Sequence, residues 1–371
     1  MDYVIIGGGI YGAATAFELS KRGAEVLLLE AKDIAGGASG GPGRRGVRAN
    51  GRDLRELPLM QLAYARWPSL HEEIGAVTGY ARCGHLLLIE RERDLAAAAA
   101  HVWAQEKQGI PTRLVQGQEL RDMEPQLGEA VLAALYCPLD GVADHTATTR
   151  GMAQAAAKLG AQIREQCAVT DFEVQNGRIQ AVITSKGERI AVGKQVLLLS
   201  NAHVAQALTA HFQCTLPVWT MLPQVLFTAP LAPMPIRHLI GHASRTLAIK
   251  PHPDGRVMIS GGWRGKWNAE LGRGETVPEQ VLGNLAQAQA VYPCLHEVEV
   301  DEANAARLET LSFDNIPIID KIPGVDNALF ATGWSGHGWA IAPAVARLLA
   351  AWAMDNVLPD LLRPFSLERF G

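Results

Sequence analysis

Cysteine is scarce and scattered. Cys83, Cys137, Cys167, Cys214 and Cys294 fall in no CxxC or other ligand spacing. That argues against a disulfide framework, a zinc site or an iron–sulfur cluster, so no metal is expected, and it fits a reducing cytoplasm. An excess of one charge is also missing. With a net charge of −4 over 371 residues, there is no electrostatic footprint for nucleic acid or an anionic membrane. No run approaches the roughly 18 apolar residues a membrane span requires. The apolar N-terminus carries Asp2, three consecutive glycines and Glu18, and lacks the basic start of a secretory signal. There is no internal repeat and no low-complexity linker.

What is present is an ordinary globular composition, 48% apolar and 19% charged, in a chain long enough for two domains. Everything is organised around Met1 to Glu30. Tyr3 to Ile6 is a short β-branched run that empties into Gly7-Gly8-Gly9-Ile10-Tyr11-Gly12, after which Ala13 to Lys21 reads at helical spacing. Gly7 permits the turn, Gly9 lets backbone approach a pyrophosphate, and Gly12 lets helix and strand pack, with the helix N-terminus offering free N–H groups to the anion. A second strand, Glu25 to Leu29, ends on Glu30, whose carboxylate can accept ribose hydroxyl hydrogens. An acid there repels a 2′-phosphate, which favours FAD or NAD over NADP.

The loop Ala31 to Asn50 is rich in glycine and carries Lys32, Arg44, Arg45 and Arg48, so it can lie across a cofactor. Helical spacing follows over Leu54 to Gly75, a strand over Cys83 to Ile89, an alanine-rich helix through Gln108, a turn at Leu120 to Pro125 and short strands from Ala130 to Asp144. Thr146 to Leu159 is a second helix. Val169 to Val192 reads as hairpins turning at Asn176-Gly177 and Lys186-Gly187, and Gln195 to Ser200 as a buried parallel strand. Strands at Thr246 to Ile249 and Arg256 to Ser260 flank a turn at Pro253-Asp254-Gly255, and a helix covers Pro278 to Ala290. Strands at Asn315 to Asp320 and Ala328 to Thr332 lead through Gly333-Trp-Ser-Gly-His-Gly338 into an apolar helix, Trp339 to Ala353. Dinucleotide-type segments at the beginning, middle and end imply a discontinuous cofactor domain with a second domain built from insertions.

The chain resembles the D-amino-acid-oxidase-like (DAO) family of FAD-dependent amine and amino-acid oxidoreductases. The features that carry the resemblance are GGGIYG, Glu30, Gly37-Ala38-Ser39 with the arginines after it, Phe313-Asp-Asn-Ile-Pro-Ile-Ile-Asp320 and Ala331-Thr-Gly-Trp-Ser-Gly-His-Gly338. Pro364-Phe365 and Arg369-Phe370 add to them. The resemblance implies an α/β chain with a discontinuous Rossmann-type FAD-binding domain (1–82, 145–215 and 312–371). The inserted α+β substrate-binding domain (83–144 and 216–311) is expected on an antiparallel or mixed sheet. It also implies one extended FAD. Because no second glycine fingerprint is present for NAD(P)H, electrons are expected to come from an organic substrate and leave to oxygen or another acceptor.

The expected reaction is oxidation of a secondary amino acid, an N-substituted glycine such as sarcosine or iminodiacetate. Hydride passes to flavin N5, the imine is hydrolysed, and oxygen yields hydrogen peroxide. Two alternatives stay open: an amino-acid dehydrogenase subunit acting on glycine, proline or a D-amino acid and passing electrons to a partner, and a noncatalytic FAD-binding assembly or RNA-modification factor. By resemblance, Arg48 clamps the substrate carboxylate and Arg45 lies beside the flavin, unless Arg44, Arg45 and Arg48 form a solvated loop. His337 lies in the turn before the last helix, whose N-terminus is expected at the pyrimidine edge of the flavin. No general base is evident.

Cofactor contacts by resemblance begin with Gly7, Gly9, Ile10, Tyr11, Gly12, Glu30, Ala31 and Lys32, and continue with Ala38, Ser39, Gly43, Arg44 and Arg45. Further along they are Val169, Ser200, Asn201 and Arg307, then Gly333, Ser335, Gly336, His337, Gly338 and Trp339. Arg307 stands where monomeric sarcosine oxidase has its flavin-attaching cysteine, so FAD is expected to be noncovalent. Glycine oxidase carries a carboxylate-binding arginine where this chain has Glu309 and an active-site tyrosine where it has Ala248. Glu309 and Trp339 are retained as substrate-side candidates. Arg245, Lys250, Arg264 and Lys266 are candidates for meeting a second anionic group, against the alternative that they are solvated strand ends and turns, and Trp263, with Trp219 and Trp267, is a candidate pocket wall, against the alternative that it is core.

Overall fold

The computed structural model describes all 371 residues. Residues 3–6 run straight into the helix Ile10–Lys21 and return as the strand Val26–Leu29, with Tyr3 beside Val26 in parallel register. Residues 3–6 lie at the centre of a six-stranded sheet, beside residues 195–198. Its order across the sheet is 318–321, 328–332, 195–198, 3–6, 26–29 and 162–164, all parallel except the hairpin formed by the first two. Central parallel strands are covered on both faces, which is why they read as unbroken apolar runs. Val4, Ile5, Leu27 and Leu28 are fully buried. One face packs on Ile10–Lys21, His145–Lys158 and the long helix Gly338–Asp355, and the other on the small sheet of residues 169–191 and the helix Val204–Phe212.

The second sheet has eight strands and draws on two distant stretches, 85–137 and 225–304. Its pairs are antiparallel except Leu239–His242 with His85–Ile89, which makes it mixed. Side chains alternate across it. Leu86, Leu88, Leu226, Ile240, Ile249 and Ile259 form one face and are buried against Ala288 and Val291 of the helix Pro278–Val291. His85, Lys250 and Met258 belong to the opposite face, which is turned toward the arginine segment, with Met258 Sδ 3.6 Å from Arg45 Nη1. Two ribbons run between the lobes: Arg44–Val47 with Gly141–Asp144, and Val218–Met221 with Glu309–Ser312. The chain is therefore α/β, with a discontinuous Rossmann-type domain and an inserted α+β domain on a mixed sheet. No single helix is long and apolar enough to cross a membrane.

Three local expectations are corrected. Leu120 to Pro125 is not a turn, because Gly117–Met123 is a helix; Glu, Leu, Arg and Met favour the helix, which ends two residues before Pro125. The arginine stretch is not all loop, since Arg44–Val47 becomes a strand once Gly141–Asp144 arrives to pair with it. The strand expected at 246–249 lies at Ala248–Pro251, because Arg245 and Thr246 are used in the preceding turn.

Candidate active site

The glycine turn opens on an anion cradle. Gly7 has φ +112° and lies so close to Leu199 and Ser200 that a Cβ would meet their backbone at 2.8 Å, while a Cβ on Gly12 would lie 1.8 Å from the Gly7 carbonyl oxygen. Gly9 has open space in front of it. The helix begun by Ile10, Tyr11 and Gly12 has neither a side-chain cap nor an acidic residue in its first turn, so its N–H groups face that space without competition.

Glu30 stands at the end of its strand and accepts the Gly8 N–H at 2.6 Å and the Lys32 N–H at 2.8 Å. A carboxylate has about four lone-pair sites, so two remain for ribose hydroxyls. Ala31 and Lys32 are tied to residues 164–167 through Gln166 N–H to Lys32 O and Cys167 N–H to Glu30 O, which brings the start of the Val169 strand to the same end of the sheet.

A second uncapped helix N-terminus lies beside the first. Gly338–Asp355 starts after the turn made by Gly333, Ser335 and Gly336, all at positive φ, and has no acidic residue in its first turn. Tyr11 joins the two N-termini. Its ring stacks on Trp334 at 3.6 Å, and its hydroxyl donates to the Gly338 carbonyl. Arg52 joins the same turn to the arginine segment, donating from Nη2 to His337 O at 2.6 Å and from Nε to Arg48 O at 2.6 Å, while it pairs with buried Glu56 at 2.9 Å. Burial first, then Arg48 and Arg52, hold the His337 imidazole well below its usual range, so it is neutral.

Arg45 turns back into its own loop, donating to the carbonyls of Gly40, Gly41, Pro42 and Arg44, with Met258 Sδ 3.6 Å away. Arg48 spends only Nη1 inside the protein, on Asn50 O at 2.8 Å. Burial, with Arg52 beside it, lowers its guanidinium to about 10, still charged at neutral pH. Buried Asp140 holds the backbone just after it, accepting from Ala49 N at 2.7 Å, Asn50 N at 3.2 Å and the Tyr64 hydroxyl. Burial raises Asp140 to about 6 against the lowering effect of those bonds.

Glu309 falls among the cofactor-side candidates. Its carboxylate accepts Ser39 Oγ at 2.6 Å and Asn201 Nδ2 at 3.1 Å, and burial raises its pKa above the usual carboxylate value. Arg307 Nε donates to Gly36 O at 2.8 Å, on the loop that carries Ala38 to Gly43. Ser335 uses its hydroxyl on Gly333 O and Ser312 N, and Trp339 packs between Trp67 and His145 with its Nε1 buried and unpaired. Arg245, Trp263 and Arg264 belong elsewhere. Arg245 pairs with Glu90 at 2.7 Å and reaches Gln287 at 2.9 Å, Trp263 packs against Gly283, and Arg264 is exposed. All three lie beside the Pro278–Val291 helix, at Gln287, Gly283 and Gln280, outside the paired strands Ala248–Pro251 and Val257–Ser260.

The reading from sequence missed Arg52, Tyr64 and Asp140. The Arg52 and Glu56 spacing of four residues was a legible signal. Asp140 carried none, since it meets Ala49 only across some 90 residues of chain.

FAD fits these residues. The open cradle at Gly9, the spare acceptor sites on Glu30 and the two uncapped N-termini supply what a dinucleotide with an electron-accepting ring requires. The lobes thus enclose the equipment of a flavin-dependent oxidoreductase. Residues 2–352 match the family described as DAO, FAD dependent oxidoreductase, and the chain belongs to that family. It is 25% identical over 379 residues to sarcosine oxidase subunit beta of Rhodobacter capsulatus, covering all of this chain and 88% of that protein. To glycine oxidase of Geobacillus kaustophilus it is 26% identical, covering 99% and 97%. Its structure matches that of L-proline dehydrogenase from P. horikoshii with a TM-score of 0.87 at 25% identity, covering 100% and 97%.

Glu30→Ala is expected to weaken FAD retention about 10- to 100-fold, the loss of one or two charge-assisted hydrogen bonds. Dialysis followed by the flavin-to-protein absorbance ratio measures it, and full occupancy would remove Glu30 from the ribose.

Proposed function

We propose that the protein oxidises a secondary amino acid, an N-substituted glycine of the sarcosine or iminodiacetate kind, with noncovalently bound FAD. When bound, FAD supplies the acceptor for the two electrons that leave the carbon beside the amine. The observation that carries the reading is Arg48, whose backbone is held from both sides by Asp140 and Arg52 while Nε and Nη2 stay unused. A fork so prepared suits a carboxylate, which it can bind through two parallel hydrogen bonds. The N–H groups of Gly338 and its neighbours can meet negative charge that develops across the cleft. Neutral His337 adds no charge there and serves to shape the turn.

The test is anaerobic bleaching of the purified yellow protein by sarcosine, iminodiacetate, glycine, proline and D-amino acids. Bleaching by an N-substituted glycine supports the reading, whereas a panel that leaves the flavin oxidised defeats it. Readmission of air separates oxidase from dehydrogenase: hydrogen peroxide formed at the rate of turnover marks an oxidase, and turnover only with an added electron carrier marks the dehydrogenase alternative. Acid precipitation is expected to leave all flavin in the supernatant, since Arg307 offers no thiol for attachment. Yellow colour in the pellet would contradict noncovalent binding.

A further inference from the structure

An amine must be neutral before hydride can leave the adjacent carbon, so a protonated substrate has to lose a proton inside the cleft. Lys250 lies in the strand Ala248–Pro251 and is 6% exposed. Its cross-strand partner is Met258, so both side chains leave the sheet on one face. Met258 Sδ is 3.6 Å from Arg45 Nη1, which identifies that face as the one turned to the arginine segment. The charged and titratable groups facing Lys250 are Arg45 and Arg48 from that segment and His85 from the neighbouring part of the sheet. None is an anion, and Lys250 forms neither an ion pair nor a hydrogen bond.

We propose that Lys250 is the general base that takes the proton from the substrate's ammonium group. In this step an N–H bond of the bound secondary ammonium breaks and its electron pair stays on the substrate nitrogen. The proton forms a new N–H bond at Nζ, leaving a neutral amine and a lysine ammonium. The proton passes to solvent after product departs. Burial, then Arg45 and Arg48, lower the Lys250 ammonium to about 7, so the amine form is available at neutral pH. The rival imidazoles, His85 and His337, are held well below their usual range by burial first and are weaker bases. The proposal rests on the amine-oxidation reading and deepens it.

The experiment uses wild-type holoenzyme, Lys250→Met and Lys250→Arg, with whichever amine of the panel bleaches the wild type. In wild type the anaerobic flavin-reduction rate should climb with pH and level off above about 7. In Lys250→Met it should be on the order of 10²-fold slower at pH 7, and its rise should move toward the range of a free alkylamine, about 10. Lys250→Arg should be as slow, because a guanidinium cannot accept the proton. Methylthioacetate, which has a carboxylate but no amine proton, should still perturb the flavin spectrum of both variants with unchanged affinity.

Folding offers a second readout. Burial lowers the native lysine to about 7, while the unfolded one keeps the ordinary lysine value of about 10.5, so the unfolded chain binds more protons between them. Wild-type stability therefore rises with pH across that window. The gain in Tm on Lys250→Met should be largest at pH 6 and fade by pH 10.

An unmoved pH profile in Lys250→Met, or a full rate in Lys250→Arg, overturns the proposal. So does a loss of affinity for thiodiacetate without one for methylthioacetate, which would make Lys250 an anion clamp. Wild type that no amine bleaches defeats the amine reading itself, whereas wild type that bleaches beside an unmoved variant profile defeats Lys250 alone.

Discussion

Replacing Arg48 with alanine is expected to raise KM for a carboxylated amine about 100-fold. Two charge-assisted hydrogen bonds from one guanidinium contribute on the order of 3 kcal/mol net, and about 1.4 kcal/mol is a factor of ten. The value sits toward the upper end because the fork is already positioned. Arg52 Nε holds the Arg48 carbonyl at 2.6 Å, and Asp140 holds the next two backbone N–H groups, so little ordering remains to be done on binding. Lysine at this position should recover only part of the loss, because it restores charge without the planar fork. Folding should not suffer, since burial already opposes the Arg48 charge in the free protein. Steady-state kinetics with the bleaching amine and a thermal melt decide the matter together. An unchanged KM in a folded variant takes Arg48 out of the substrate site.

Gly9→Ala separates the fold from the cofactor. The residue has φ −72° and ψ −176°, a conformation open to any amino acid, and a Cβ there meets nothing within 4 Å. The apoprotein should therefore melt at the wild-type temperature. The new methyl occupies the space through which a pyrophosphate reaches the helix N-terminus, and forcing such an overlap costs about 1–3 kcal/mol, or roughly a 5- to 150-fold weaker FAD complex. Gly12→Ala is the counterpart. Its methyl would lie 1.8 Å from the Gly7 carbonyl oxygen, so helix and strand must part, and both melting temperature and FAD affinity should fall. Titration of each apoprotein with FAD, followed by flavin fluorescence, gives the affinities. A Gly9→Ala protein that binds FAD as wild type does would mean that the pyrophosphate lies elsewhere.

The strand–turn–helix unit at the start of the chain was legible because its signals are local. Strand, turn, helix and strand-end acid occupy the first 30 residues, and each follows from neighbours one to four positions away: β-branched runs, glycines where backbone must close in, and an apolar helix face. The turn Gly333 to Gly338 before an apolar helix was readable for the same reason. The placement of the second domain's cations was not legible in the same way. Lys250, Arg245, Trp263 and Arg264 looked alike in sequence, as cations and an aromatic near strand ends. The fold turns Lys250 toward Arg45 and Arg48 and leaves the other three beside the Pro278–Val291 helix. Glu309 moved from the substrate candidates to a carboxylate shared by Ser39 and Asn201.

The amino-acid sequence alone determined the dinucleotide turn, its helix, the strand-end carboxylate and the alternation of sheet and helix that makes a discontinuous two-lobed chain, since short-range geometry and periodicity dictate these. Only the tertiary structure decided which cations meet. A side chain's face follows from strand register, and register between residues 44–47 and 141–144, or 248–251 and 257–260, is set by burying one whole sheet face against its helices. Asp140 reaches Ala49, and Lys250 faces Arg48, through pairings that no stretch of neighbouring residues encodes.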